Sequence, residues 1–252
     1  MRHFLTILSH EIRMLLVSPG TYIAGVFFLA FMGFIFGGIL ERYSAAPQEI
    51  SPASMFFQLF WIPVLFMVPL LTMKSISEER RHGTLETLLT SPVTTAEVVL
   101  GKYGAAYFLY IVLWGSTGAF FYILQKYAGA ARLLDPGPLY GGYIFIAISG
   151  LFFIAIGIFS SALSRNQAIS GFLCFILLAI LLGLNFIPDA DIFNQGALAP
   201  VKTLADKARI FQHLDDFSRG IVDMRQLLFY VSGATLTLIL SILGLEAKLL
   251  HS

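Results

Sequence analysis

The chain has 252 residues, of which 57% are hydrophobic and only 12% charged, with a formal net charge of +1. A soluble domain carries about 25% charged residues, so this composition excludes an ordinary water-soluble fold and makes lipid the natural solvent. The near-neutral balance gives no footing for nucleic acid, and the single cysteine, Cys174, sits in an apolar run, where it reads as a small core residue and excludes an intrachain disulfide.

The first 18 residues mix charged and apolar side chains and lack the apolar centre and small-residue cleavage site of a signal peptide. Phe4, Leu5, Ile7, Leu8, Ile12, Leu15 and Leu16 fall on one half of a helical wheel. Arg2, His3, Thr6, Ser9, His10 and Arg13 fall on the other half, and only Glu11 breaks the pattern, on the apolar side. Such a helix lies in the membrane interface rather than crossing it. Ser18-Pro19-Gly20 then turns the chain into the bilayer.

A membrane span needs about 20 mostly apolar residues. Six stretches qualify: 22–40, 55–73, 103–124, 139–163, 167–187 and 227–245, none holding Asp, Glu, Lys, Arg or His. The fourth and fifth together would form one helix of roughly 70 Å, over twice the hydrocarbon core. A tight hairpin at Ser164-Arg165-Asn166-Gln167 is therefore expected. Pro63 and Pro69 predict a kink in the second span. Gly33 and Gly37 have the spacing that permits close helix approach. In the loop 188–226, Val201, Leu204, Ala205, Ala208, Phe211 and Leu214 recur at helical spacing, which predicts short amphipathic helices at the outer surface. The whole chain, 1–252, reads as a single transmembrane domain.

Eight Lys and Arg flank one membrane face and eight the other, but five of the second set lie in the long loop. Setting that loop aside leaves eight against three, which places both termini in the cytoplasm. The sequence holds no Gly-x-x-x-x-Gly-Lys-Ser/Thr loop for nucleotide. Ion-driven transporters put ionisable groups inside their spans, and these spans have none, so the driving force must come from another subunit. The five histidines are scattered without metal-ligand spacing, and no Gly-x-Ser-x-Gly occurs. The expectation is therefore no catalytic site, no metal and no cofactor held by this chain.

The stretch 77–92 between the second and third spans is the densest in charge. Gly83 allows a helix break, 84–89 reads as a second short helix, and Ser91-Pro92 ends it. Charge runs of this kind are as a rule solvated connectors held by local ion pairs; a bent, charged elbow at the membrane surface also suits docking of a soluble partner. The pattern Glu78-Glu79-Arg80-Arg81-x-Gly83-Thr84-Leu85-Glu86-x-Leu88-Leu89-x-Ser91-Pro92 resembles the cytoplasmic segment of ABC-2-type transporter permeases, nearest the gliding-motility (GldF) and NosY-like members. The run from Glu11 through Ser18-Pro19-Gly20 to Tyr22 resembles that family's interfacial helix, and Asp215 to Asp223 resembles the stretch before its last span.

The resemblance implies an all-α integral membrane protein of the ABC-2, or type V exporter, kind. It would have six spans, an interfacial helix, a cytoplasmic coupling elbow and outer-surface helices between spans five and six. It implies a permease subunit of an exporter in the bacterial inner membrane, working as a dimer with a second copy or a related permease. A separate dimeric ABC ATPase would bind the ATP and magnesium. The residues facing that ATPase would be Glu78, Glu79, Arg80, Arg81, Gly83, Thr84, Leu85 and Glu86, with Leu85 and Leu88 filling an apolar groove. Glu11 would meet Arg80 or Arg81. Two other readings stand beside this one: a membrane scaffold that transports nothing, for example in a gliding-motility complex, and a membrane-embedded lipid hydrolase.

Overall fold

A computed structural model describes residues 2–45, 50–83, 93–127, 135–186 and 208–249. Among the described residues every regular element is helical: α1 (Arg2–Val17), α2 (Pro19–Ala45), α3 (Pro52–Gln58), α4 (Trp61–Thr72), α5 (Ser77–His82), α6 (Thr95–Ser116), α7 (Gly118–Tyr127), α8 (Pro136–Leu163), α9 (Gln167–Gly183), α10 (Ile210–Ser218) and α11 (Met224–Leu249). Four segments, Pro19–Ala45, Thr95–Lys126, Pro136–Leu163 and Met224–Ala247, are long and apolar enough to cross a bilayer, and the bent pair α3–α4 makes a fifth. Large apolar side chains on their outer faces, such as Phe34 at 82% exposure and Ile23 at 71%, require lipid around them. The chain is a multi-pass membrane protein.

Local chemistry sets the helix ends. Pro19 opens α2, where its missing N–H costs no helical bond. The second span breaks between Leu59 and Phe60, with α3 and α4 inclined at 51°. The sequence places the kink at Pro63 or Pro69, and the structure puts it one turn before Pro63. Pro63 has no N–H for the Leu59 carbonyl, so Ile62 N–H takes that carbonyl at 3.3 Å in a tighter turn. The helix that carries the third span starts eight residues before the apolar run. There Thr94 and Glu97 form a reciprocal capping box, each side chain accepting the other's backbone N–H at 3.2 Å. Asn166 caps α9 by accepting Ala168 N–H at 3.0 Å, so the turn between α8 and α9 is made within Ser164-Arg165-Asn166. At 17 residues α9 is about 26 Å long, short of the roughly 30 Å core.

α8 is the centre of the bundle and is lined with glycines that other elements approach. A Cβ on Gly141 would stand 2.0 Å from the Phe217 carbonyl oxygen of α10, and on Gly142 2.2 Å from the Phe57 ring of α3. On Gly150 it would lie 2.3 Å from the Tyr110 ring of α6, and on Gly157 2.3 Å from Thr72 Oγ1 of α4. Tyr103 and Tyr107 of α6 donate to the Leu151 and Ala147 carbonyls of α8 at 3.1 and 2.9 Å. At the end where α8 begins, Phe36, Phe56, Phe57, Phe121 and Tyr143 pack ring on ring. The helical pattern expected in the outer loop falls partly on 201–207, outside the described residues. Its remainder includes Phe211 and Leu214 of α10, which buries Ile210, His213, Leu214 and Phe217 against the bundle.

His213 Nδ1 lies 3.0 Å from Tyr230 Oη of α11. Burial pulls its pKa below the usual value, against Asp216 and Asp223, which pull it up. The folded protein therefore refuses a proton that the unfolded chain accepts. Stability should fall as pH drops below about 6.5, and His213→Gln should flatten that dependence in thermal unfolding scans at pH 5.5 and 7.5. Gly150→Ala should cost about 1–3 kcal/mol by overpacking against Tyr110, whereas Gly37→Ala, where the Cβ meets nothing within 4 Å, should cost little. Unfolding midpoints in detergent distinguish the two.

Candidate functional site

The charged groups singled out by the sequence gather where α1, α5 and α6 meet. α1 can lie directly on α6 because position 101 is glycine: a Cβ there would stand 2.7 Å from Ile7 Cγ2. One residue on, Lys102 is 3% exposed, and its ammonium donates to Glu11 Oε1 at 2.6 Å and to Glu79 Oε1 at 2.7 Å. One buried cation thus holds a carboxylate from α1 and another from α5. Burying an ammonium without such partners costs roughly several kcal/mol of desolvation, so the cation depends on its carboxylates. The structure corrects the expected pairing of Glu11 with Arg80 or Arg81. The Arg80 guanidinium reaches the other way and donates to the Ala162 carbonyl at the end of α8, at 2.9 Å. Burial and the neighbouring Arg165 hold the Arg80 pKa below its usual value.

α5 itself is six residues long, too short to persist alone. Its start is fixed by Ser161 of α8, whose hydroxyl accepts the Ile76 and Ser77 N–H groups at 3.0 and 3.1 Å. The Ser77 hydroxyl turns back to the Met73 carbonyl. Glu78 and Glu79 fall in its first turn, where acidic side chains favour the helix dipole. Gly83 closes it in the left-handed region, φ 69°, a conformation other residues rarely adopt. Of the residues expected at the elbow, Glu78, Glu79, Arg80, Arg81 and Gly83 are thus placed on or at the end of α5. Thr84, Leu85, Glu86 and Leu88 lie outside the described residues.

Lys102 is the residue of this junction that sequence reasoning missed. It stands one position before the apolar run of the third span, and its signal was Glu11, an acid on an apolar helix face that needed a buried partner. Beside the junction opens a cleft of 560 Å³ between α1, the start of α2, the end of α4, α5 and α6. Among the described residues no three His, Cys, Asp or Glu side chains are grouped to hold a metal ion. The arrangement ties two elements, α1 and α5, to α6 by charge.

Residues 46–249 match the family model described as ABC-2 family transporter protein. Over 117 residues the chain is 32% identical to the probable multidrug ABC transporter permease YbhR of Escherichia coli strain K12, an alignment covering 46% of this chain and 30% of that protein. YbhR of Escherichia coli O157:H7 matches to the same extent. The chain spans about 30% of the length of the curated relatives it matches.

Lys102→Met should leave two carboxylates facing one another across an apolar gap and cost about 3 kcal/mol. Adding Glu11→Gln and Glu79→Gln should recover over half of that loss. Unfolding of the three proteins, parent, single and triple variant, in mixed micelles checks both.

Proposed function

The chain belongs to the ABC-2 family of transporter proteins, and from that premise we propose that it is the permease subunit of an ATP-driven exporter whose ATPase is a separate chain. A transmembrane permease role follows from the family and the apolar spans. In the fuller reading, α2, α3–α4, α6–α7, α8, α9 and α11 are six spans, with α9 the short one. Both termini face the cytoplasm of a bacterial inner membrane. Two such chains, or this one and a related permease, line the path. A dimeric ATPase, which holds the ATP and magnesium, docks on the elbow through Glu78, Glu79, Arg80, Arg81 and Gly83 together with Thr84, Leu85, Glu86 and Leu88. Within the family, the elbow pattern favours the gliding-motility and NosY-like permeases.

The observation that carries this reading is the Glu11–Lys102–Glu79 junction. A six-residue helix exposed to a partner transmits force only if it cannot slide. α5 is tied to α6 through Lys102 and to the end of α8 through Ser161 and Arg80. Displacing it therefore moves two spans and, through Glu11, the surface helix.

Two variants test the assignment, with the ATPase co-purified and its turnover measured. Glu86→Lys should reduce ATPase retention at least tenfold, because it reverses a charge at the docking face. Lys102→Met should keep the ATPase bound but lose permease-dependent stimulation of ATP turnover. If both variants bind and stimulate like the parent, the elbow is not the coupling element. A parent chain that binds its partners without stimulating turnover would instead be a scaffold.

A further inference from the structure

We propose that the 560 Å³ cleft beside the junction is a binding site for the headgroup of an aminophospholipid such as phosphatidylethanolamine. Its volume falls in the range of small-ligand sites, about 300–1,000 Å³. It sits at headgroup depth: Ser18 and Pro19 at the start of α2 line it, and so do Leu71 and Lys74 at the end of α4. One membrane face thus bounds it from two spans, and this holds whichever leaflet that face belongs to.

The lining is ordered by charge. Moving outward along the α4–α5 segment, the cleft meets Leu71, then Lys74, then Glu78. On α6 the same direction runs from Ala106 to Lys102, whose charge Glu11 and Glu79 already engage. An aminophospholipid reads in the complementary order: acyl chains and glycerol, then the phosphate anion, then the ammonium at the tip. Lys74 and Glu78 stand four residues apart, and among the described residues they form no ion pair with each other or with another side chain. The Lys74 ammonium lies over the first turn of α2, 3.7 Å from where a Cβ on Gly20 would stand. The positive end of that helix adds to its field at the phosphate. A primary ammonium donates hydrogen bonds to Glu78 that a choline cannot. A glycerol headgroup brings no cation and leaves the carboxylate facing the anion of the lipid.

The inference does not rest on ATP coupling, and its test reads lipid binding alone. The full chain, purified in detergent, is titrated with dioctanoyl phosphatidylethanolamine, phosphatidylcholine and phosphatidylglycerol, and bound lipid is counted by native mass spectrometry. The ethanolamine lipid should bind at least tenfold tighter than the other two. Lys74→Ala should weaken it at least tenfold. The reversed pair Lys74→Glu with Glu78→Lys, which keeps the net charge, should do the same. Variants are matched to the parent by monodisperse elution, and Lys74→Gln replaces Lys74→Ala if the latter does not fold. A smaller preference among the three lipids marks annular lipid only and overturns the proposal. So does a reversed pair that binds the ethanolamine lipid as the parent does.

Discussion

Burying one ammonium between two carboxylates joins three elements that apolar contact alone would leave separable. α1 rests on α6 through Gly101, and its apolar face would serve equally well against lipid. α5 is a helix of six residues, below the length at which a helix holds itself. Lys102 removes that freedom. Its two short, charge-assisted bonds are worth more than neutral ones because they form where water is largely excluded. The pairing is also unforgiving of losing its cation, since without Lys102 two carboxylates are left facing each other with no counter-charge. Such a junction contributes geometric specificity more surely than net stability.

The rest of the bundle gives that junction something rigid to act on. α8 lets α3, α4, α6 and α10 approach at glycine positions, so its neighbours touch near backbone distance rather than through flexible side chains. Tyr103 and Tyr107 anchor α6 to α8 one and five residues beyond Lys102. Ser161 and Arg80 anchor α5 to the end of α8. The opposite end is closed by the phenylalanine cluster and by α10. Protein interiors packed at this closeness transmit displacement instead of absorbing it, which is what the proposed coupling to a separate ATPase requires.

Much of this was legible in the sequence because membrane spans obey one strong rule, the length of apolar run that crosses hydrocarbon. The runs 22–40, 139–163 and 227–245 each lie inside one helix that extends a few residues beyond them. The hairpin at Ser164-Arg165-Asn166 and the break at Gly83 were readable from polarity and from glycine. Helix ends were less so, since backbone bonding continues where hydropathy stops: Thr94 and Glu97 start α6 well before its apolar run. The bend at Leu59 follows from a carbonyl four residues before Pro63, so the residue that causes it and the residue that shows it differ. The partner of Glu11 was hidden because the two cations expected, Arg80 and Arg81, lie in the charged elbow, whereas Lys102 stands beyond it at the edge of the third apolar run. Lys102 wins because Gly101 beside it lets α1 lie directly on α6, which brings Glu11 to its ammonium, while the Arg80 guanidinium is drawn to the Ala162 carbonyl at the end of α8.

The measurement closest to the central claim is a double-mutant cycle between Glu11→Gln and Glu79→Gln, read as unfolding free energy in mixed micelles. The two residues sit on different helices and share the Lys102 ammonium. If one buried cation joins them, the loss from either change should depend on the other by about 1 kcal/mol or more. Additivity within about 0.5 kcal/mol would mean that α1 and α5 are held independently, and would contradict the account.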